Sequence, residues 1–187
     1  VQNLSIIPTC IDAARYTPTE SPCRSGPVRI GWIGTSGNQK YLKHVIPALE
    51  QLRRDGFEFE FCMCSDIEPL AELQRLNPTF LRWSADTEVD TLRSFDIGIM
   101  PLDDSDWCRG KCSFKLIQYM AVSVPVVGSA VGFNNDVVED GASGHLASNT
   151  QWYEPLASLL EDDRWRRDAG RRGREIVLEK FDISIAA

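Results

Sequence analysis

The chain has 187 residues, enough for one ordinary domain and too few for two of typical size. Its hydrophobic fraction of 43% and charged fraction of 25% are typical of a globular protein and exclude collagen-like, mucin-like and disordered classes. The formal net charge of -7, from 20 Lys and Arg against 27 Asp and Glu, argues against nucleic acid as a partner, although it is compatible with a small cationic pocket.

No part of the sequence approaches the roughly 20 apolar residues that a membrane-spanning helix needs. Residues 1–4 have neither the basic start nor the long apolar run of a signal peptide, and the chain does not begin with Met. We therefore expect a piece cut from a longer protein, without a transmembrane segment.

The six cysteines are not placed as a disulfide framework would place them. Cys62 and Cys64 lie two apart in a predicted strand, so both would face the same side of a sheet. Cys108 and Cys112 have a spacing suited to zinc, but neither histidine lies in the same element, so structural zinc is a minor alternative to buried thiols. Reduced thiols indicate a cytoplasmic location, the inner face of the membrane included.

Residues 1–27 carry four prolines and no alternating strand and helix patterns, so they are predicted to form a linker or an extended arm. In residues 28–187, apolar strand patterns alternate with helical ones. The predicted strands cover 28–33, 57–64, 79–83, 96–101, 125–128 and 144–147. The predicted helices include one that follows 35–38 and ends by 55–56, and others over 70–76, 87–94, 114–121, 152–160 and 164–180. Thr87 and Asp90 have the spacing of a capping box.

Apolar strands that alternate with helices predict a parallel sheet covered by helices on both faces. Right-handed crossovers then give a doubly wound, Rossmann-like α/β domain of about six strands. Ligands bind such sheets at the carboxyl ends of the strands, on the loops that lead into the helices. This rule selects the segments 34–38, 83–88 and 101–113.

The first of these segments begins with Gly34, Thr35, Ser36 and Gly37 and joins the first strand to the first helix. Two glycines and two small hydroxyl residues allow backbone amides to approach an anion, and the helix N-terminus adds its positive end. The segment is neither G-x-G-x-x-G nor a P-loop. A tight turn in which Ser36 or Asn38 caps the helix is an equally good interpretation.

The segment 101–113 contains the most unusual charge pattern in the chain, with three acids followed by two cations around a glycine. Arg109, Lys111 and Lys115 lie beside a predicted helix N-terminus and can bind a diphosphate in an otherwise acidic protein. A loop of this length usually has a function, which favours anion binding over a solvated loop whose charges pair with one another. A Mg²⁺ site is a weaker alternative. Its ligands would be Asp103, Asp104 and Asp106.

The sequence contains no motif that assigns a catalytic group. His44 and His145 lie far from any Ser or Cys nucleophile motif, so both are expected to be structural or solvated. The Arg-rich stretch 164–174 alternates with acids and predicts a salt-bridged helix face.

Five segments in order resemble the C-terminal half of a group 1 (family four) glycosyltransferase of the GT-B fold. They are 30–34 (IGWIG), 95–102 (FDIGIMPL), 115–121 (KLIQYMA), 125–129 (PVVGS) and 132–144, which contains VVEDG. Residues 6–16 are similar to the connector between the two domains of that family. The resemblance covers nearly the whole chain, and it makes residues 1–27 the interdomain connector and 28–187 the nucleotide-sugar-binding domain.

In that family this domain binds the nucleotide-sugar donor, and a preceding N-terminal domain binds the acceptor. The resemblance therefore implies transfer of a sugar from a nucleoside diphosphate sugar to an unknown acceptor, with retention of configuration. It also implies no metal and no cofactor, because helix amides and cations stabilise the departing nucleoside diphosphate. Peripheral contact with a membrane is compatible with this reading.

The family's signature of two glutamates separated by seven residues falls on Gly110 and Gln118, so neither carboxylate is present. In the family the first Glu contacts the donor sugar and the second holds the ribose hydroxyls. The amide of Gln118 can still bind hydroxyls, whereas Gly110 offers only its backbone. The loss of both carboxylates keeps open an alternative, a non-catalytic nucleotide-binding or interaction module derived from such a domain.

The resemblance also implies a role for each of the remaining site residues. Lys115 is expected to hold the diphosphate, with Arg109 or Lys111 assisting, while residues 83–84 and Glu88 lie where such domains meet the nucleoside. The complete expected donor-binding set is Gly34, Thr35, Ser36, Trp83, Ser84, Glu88, Arg109, Gly110, Lys111, Lys115 and Gln118.

Overall fold

The computed structural model describes residues 8–19, 26–148 and 150–185. Its strands are β1 Val28–Ile33, β2 Phe59–Ser65, β3 Thr79–Arg82, β4 Ile97–Met100, β5 Val126–Ser129 and β6 Gly144–Ala147. A 3-10 helix, Ser36–His44, follows β1. The α-helices are α1 Ile46–Arg54, α2 Ala71–Gln74, α3 Glu88–Arg93, α4 Asp106–Arg109, α5 Phe114–Ala121, α6 Asn134–Val137, α7 Tyr153–Glu161 and α8 Asp163–Lys180.

The strands form one parallel sheet in the order β3-β2-β1-β4-β5-β6. β1 lies inside the sheet, paired with β2 along its whole length and with β4 at Ile30↔Ile97. The chain moves outward on one side of β1 and then crosses to its other side, so β1 and β4 flank a topological switch point. The predicted doubly wound, Rossmann-like fold is confirmed.

Two apolar cores cover the two faces of the sheet. Ile30 and Trp32 of β1 pack in the core under α1 and α7, whereas Ile33 packs in the core under α5 and α8. Alternate residues of a strand face opposite sides, so each strand supplies both cores. This is why β4 and β5 are buried along their whole length and carry no charged residue.

No disulfide bond joins the cysteines that the structure describes, which are Cys10, Cys62, Cys64, Cys108 and Cys112. Cys62 and Cys64 lie buried in the same core, which confirms that they share one side of the sheet. Burial raises the pKa of the Cys64 thiol to about 11, so this thiol stays protonated at neutral pH. Cys23 lies outside the described residues.

Tyr119 of α5 connects β1 and β4 at the switch point. Its ring lies directly on the sheet because Gly98 has no side chain, and a Cβ there would come within 2.4 Å of the ring. The Tyr119 hydroxyl accepts a hydrogen bond from the Ile33 N–H at 2.8 Å and donates one to the Ile99 carbonyl at 3.3 Å. These contacts fix the ends of the two strands that flank the switch point.

The structure adds two helices, α4 and α6, to the predicted pattern. Each has four residues, and neither has leucines at helical spacing like those at 70, 73 and 76 that predict the equally short α2. The predicted first helix starts as a 3-10 helix and becomes an α-helix at Ile46, where Pro47 occupies the first turn.

The capping box predicted from Thr87 and Asp90 is wrong. Thr87 precedes α3 with φ -105° and ψ -2° and makes no capping hydrogen bond, whereas a residue with a capping side chain normally has an extended backbone. Ser84 acts instead: its Oγ accepts a hydrogen bond from the Thr87 N–H at 3.3 Å. Asp90 pairs with Arg93 at 3.0 Å.

Residues 8–19 pack against the domain instead of extending away from it. Ile11 is buried, and its N–H donates to the Phe181 carbonyl at 2.8 Å while its carbonyl accepts from the Ile183 N–H at 3.0 Å. The described part of the predicted arm is therefore docked at the end of α8. The other residues of 1–27, apart from 26 and 27, lie outside the described residues, and the domain boundary at residue 27 stays a prediction.

The predicted salt-bridged face of α8 is confirmed. Arg166 pairs with Asp163 at 2.9 Å, and Arg172 donates to both carboxylate oxygens of Glu139 at 2.8 and 2.9 Å. Exposed pairs of this kind contribute little stability individually. Within the part of the chain that the structure describes, no helix is long and apolar enough to cross a membrane.

Candidate functional site

A pocket of about 510 Å³ opens at the carboxyl edge of the sheet, where β1 and β4 end. This volume is typical of a small-molecule site. The three segments selected from the sequence all contribute to its wall, together with the first turns of α5. The predicted residues that line it are Gly34, Thr35, Trp83, Glu88, Gly110, Lys111, Lys115 and Gln118. Ser36, Ser84 and Arg109 lie outside the lining.

Gly34 allows Lys115 to cross the end of β1. A Cβ on Gly34 would lie 2.9 Å from Lys115 Cε and 2.6 Å from the Trp32 ring, so any larger residue would displace the lysine or the indole. Thr35 follows directly and precedes the 3-10 helix without a side-chain capping bond. The glycine thus serves the placement of a cation in the pocket wall.

Lys115 lies in the first turn of α5, beside N–H groups that have no partner within the helix. Burial first, and the nearby charge of Lys111 second, lower the pKa of its ammonium group to about 8. Within the described residues, Lys115 forms no salt bridge. The pocket therefore contains a cation that no acidic side chain of the described segments neutralises.

Lys111 brings a second cation to the same wall. Its Nζ donates to Asn38 Oδ1 at 3.0 Å and lies 5.4 Å from the centre of the Tyr41 ring, so it contacts neutral groups. Two lysines placed together without an acid between them disfavour their own charged state. A phosphate group between them would reverse that effect.

Arg109 points to its own loop and not to the pocket. Its guanidinium pairs with Asp104 at 2.7 Å and Asp106 at 3.4 Å and is exposed. Asp103 contacts Lys43 at 2.9 Å and His44 at 2.5 Å. The hydrogen bond from Lys43 is the main cause of its lowered pKa, and the bond to His44 is the second. Arg109 thus pairs with two acids of its own loop, as in the solvated-loop interpretation, whereas the third acid pairs with Lys43 outside the loop.

Asp66 is a lining residue that the sequence analysis missed. It follows β2, and its carboxylate accepts hydrogen bonds from the Ser36 N–H at 2.6 Å and from the Ser36 hydroxyl at 3.1 Å. The bond from the Ser36 amide is the main cause of its lowered pKa. The Ser36 N–H, one of the backbone amides expected to bind an anion, is therefore already bonded to the Asp66 carboxylate. Neither Ser36 nor Asn38 caps the helix, because both lie inside the 3-10 helix and Thr35 precedes it.

A chain of hydrogen bonds links three other lining residues of the pocket through Tyr16. The Trp83 indole donates to one oxygen of Glu88 at 2.8 Å, and the Tyr16 hydroxyl donates to the other. The Gln118 amide donates to the Tyr16 oxygen at 3.5 Å. Tyr16 comes from the docked segment 8–19 and was not among the expected site residues.

Gly110 ends α4 with φ -80°, which any residue adopts. A Cβ there would lie 3.6 Å from the Asp106 carbonyl oxygen, an ordinary contact distance. Nothing in the local geometry therefore requires glycine at this position. Gln118, one side of whose amide faces Tyr16, is 5% exposed.

The strand order and the pocket at the switch point define the class of the domain: a Rossmann-like α/β domain of the kind that forms half of a GT-B fold. The family described as glycosyl transferases group 1 matches residues 27–162, and the chain belongs to that family. The resemblance derived from the sequence is thereby confirmed.

Similar proteins agree with this membership. Over 69 residues the chain is 35% identical to N-acetyl-alpha-D-glucosaminyl L-malate synthase of Bacillus anthracis, a match that covers 35% of this chain and 18% of that protein. The C-terminal domain of LpcC, a glycosyl transferase group 1 family protein from Francisella tularensis, has a TM-score of 0.68 at 18% identity, covering 92% of this chain and 99% of that chain.

HepE from Anabaena, solved with UDP and glucose, has a TM-score of 0.74 at 17% identity, covering 97% of this chain and 54% of that chain. Sucrose-phosphate synthase from Thermosynechococcus elongatus has a TM-score of 0.74 at 18% identity, covering 96% of this chain and 49% of that chain. The chain thus spans about half the length of HepE and of sucrose-phosphate synthase, and its match covers only 18% of the Bacillus anthracis protein.

Proposed function

We propose that the chain is the donor half of a glycosyltransferase: it binds a nucleoside diphosphate sugar, whose sugar the whole protein transfers to an acceptor. Lys115 is the observation that carries the proposal, because it is a partly buried cation in the pocket wall with no acidic partner among the described residues. Such a group is poorly stabilised until an anion joins it. HepE, which has the same fold, was solved with UDP.

The pocket offers different chemistry at its two sides. Lys115 and Lys111 suit the diphosphate, because both are cations with no carboxylate partner among the described residues. The exposed indole of Trp83 suits a base, and Glu88 and Gln118 suit the ribose hydroxyls. A nucleoside diphosphate lying across the pocket would contact all five of these side chains.

Negative charge develops on the diphosphate when the bond to the sugar breaks. The two lysines and the first amides of α5 would stabilise that charge, so the proposed reaction needs no metal and no cofactor. Gly110 supplies only backbone where the sugar is expected. We therefore assign retention of configuration, and the remaining contacts to sugar and acceptor, to the assembled two-domain protein.

An N-terminal acceptor domain is part of this proposal. It is supported by the share of HepE that the chain covers, 54%. A cytoplasmic location, the inner face of the membrane included, belongs to the same proposal and is supported by the lack of disulfide bonds among the described cysteines.

Calorimetric titration with UDP, GDP and ADP tests the proposed function. We expect one of the three to bind with a dissociation constant below the millimolar range, and Lys115→Ala to weaken that binding. Lys180→Ala is the matched control, since Lys180 is a half-exposed lysine on α8 that pairs with Glu139. Absence of binding by all three nucleotides at millimolar concentration would contradict the proposal.

A non-catalytic nucleotide-binding or interaction module is the second candidate. The observation that favours it is the replacement of both signature carboxylates by Gly110 and Gln118. Because a Cβ is accommodated at Gly110, packing does not require the glycine there, and its effect on the site is the loss of a carboxylate. Nucleotide binding without sugar transfer by the complete two-domain protein would support this candidate.

A further inference from the structure

Tyr16 lies where the docked segment 8–19 meets the pocket. Its side chain is 6% exposed, and its hydroxyl lies between Glu88, to which it donates, and Gln118, from which it accepts at 3.5 Å. Burial raises its pKa, and the hydrogen bond to Glu88 raises it further, so the phenol keeps its proton at neutral pH. The tyrosine does not line the pocket, but it contacts two residues that do.

Arg174 of α8 holds the main chain around Tyr16. Its guanidinium donates to the carbonyl oxygens of Tyr16 at 2.7 Å, Ala13 at 2.8 Å and Ala121 at 2.6 Å. Ala121 is the last residue of α5, the helix that carries Lys115 and Gln118. One partly buried guanidinium therefore fixes the position of Tyr16 relative to the helix that forms the pocket wall.

Tyr16 is also fixed on its other side. Arg15 donates to the Ala85 carbonyl at 3.1 Å, and Arg93 of α3 donates to the Thr17 carbonyl at 2.7 Å. Ala85 lies in the loop that joins Trp83 to α3. The segment thus contacts α3 and the loop before it, and Tyr16 itself contacts Gln118 of α5.

We propose that Tyr16 is a positioning residue for recognition of the nucleoside, and that docking of segment 8–19 completes the nucleoside side of the pocket. The inference rests on the proposed function, because it assigns Glu88 and Gln118 to the nucleoside. It adds a residue from outside the pocket lining and gives the segment a role in ligand binding.

The physical basis is the number of hydrogen bonds that Glu88 can accept. A carboxylate offers about four acceptor positions. Trp83 and Tyr16 each use one, on different oxygens, so one position per oxygen remains for ribose hydroxyls or a base N–H. Two donors on different oxygens also restrict rotation of the carboxyl group, which lowers the entropy that ligand binding must remove.

Tyr16→Phe removes the hydroxyl while keeping the buried ring. The probes are inorganic pyrophosphate and whichever of UDP, GDP and ADP binds the unmodified chain most tightly. We expect the dissociation constant of the nucleotide to rise about 5- to 10-fold, as loss of one hydrogen bond would cause, and that of pyrophosphate to change by less than about twofold.

Tyr153→Phe is the matched control, because the Tyr153 hydroxyl also donates to a carboxylate, Asp55, at 2.8 Å, but outside the pocket. It should leave both dissociation constants unchanged. Glu88→Gln completes a double-mutant cycle with Tyr16→Phe. Because Tyr16 acts through Glu88, the double variant should bind nucleotide more tightly than the sum of the two single losses predicts.

The outcomes separate this inference from the proposed function. No nucleotide binding by the unmodified chain would overturn both. Normal nucleotide binding by Tyr16→Phe, equal loss for nucleotide and pyrophosphate, or strict additivity with Glu88→Gln would overturn the role of Tyr16 while leaving the proposed function intact. Melting temperatures of all variants, measured alongside, establish that each is folded.

Discussion

Lys115 carries much of the electrostatic character of the pocket. Its stem crosses Gly34, its ammonium group has no salt bridge among the described residues, and Lys111 adds a second positive charge. The chain as a whole is acidic, with a net charge of -7. The local charge therefore arises from placement of two side chains and not from composition.

Removal of this charge gives the first prediction. Lys115→Ala should weaken nucleoside diphosphate binding by about 1.5–3 kcal/mol, the range for a hydrogen bond to a charged group. It should affect the plain nucleoside much less, because a nucleoside has no phosphate. Calorimetry with both ligands measures the difference, and equal small losses for the two would reject contact between Lys115 and phosphate.

The lowered pKa of Lys115, about 8, gives the second prediction. A bound diphosphate favours the charged amine, so binding raises this pKa and takes up a proton above pH 8. Affinity should therefore fall as pH rises above 8, by at most about tenfold per pH unit. The phosphate itself is fully ionised above pH 8, because its pKa is about 6.

Titrations from pH 7 to 9.5 in buffers of different ionisation enthalpy measure both the affinity and the proton uptake. Lys115→Met should abolish the uptake and flatten the pH profile. A pH-independent affinity in the unmodified chain would show that Lys115 does not contact the ligand.

Asp66 and Tyr16 are among the site residues that escaped prediction, and they did so for different reasons. Asp66 follows β2, so the rule that selects loops at the carboxyl ends of strands would have found it had it been applied to that strand. Tyr16 joins the site only because segment 8–19 docks on α8, and no local sequence pattern encodes that docking. Side chains that a distant segment supplies are therefore the least predictable part of the site.

The elements themselves were predictable where burial on both faces leaves an uninterrupted apolar run, as in β4 and β5. The helices α4 and α6 were not, since neither has leucines at helical spacing. The capping box failed because the backbone of Thr87 is already helical, a property that residue spacing does not specify.

The Tyr119 hydroxyl, which bridges the ends of β1 and β4, gives the third prediction, at the scale of elements. Tyr119→Phe would leave the buried Ile33 N–H without its acceptor, at a cost of about 1–3 kcal/mol in the free energy of unfolding. Urea denaturation measures this cost. Tyr153→Phe, which removes an exposed hydroxyl, should cost no more than about 0.5 kcal/mol. Equal costs would show that the bridge does not stabilise the sheet.

At the scale of the whole molecule, the chain contains one complete Rossmann-like sheet and covers 54% of HepE. Its pocket opens at the edge of the sheet, and we propose that the N-terminal acceptor domain closes it there. Docking of segment 8–19 against both α8 and the loop before α3 places the N-terminal segment at that same pocket.

The fourth prediction concerns activity of the isolated chain. It should bind nucleotide but transfer no sugar, because the proposed acceptor site lies on a preceding domain. Incubation with labelled nucleotide sugars, compared with a hydrolysis control, measures transfer. Sugar transfer by these 187 residues alone, above that control, would contradict the division of labour between the two domains.

A crystal structure of the chain with the tightest-binding nucleoside diphosphate tests the central claim most directly. We predict that the diphosphate lies within hydrogen-bond distance of Lys115 Nζ and that the nucleoside contacts Trp83 and Glu88. A nucleotide bound elsewhere on the domain, or bound in this pocket with its phosphates away from Lys115, would contradict the account.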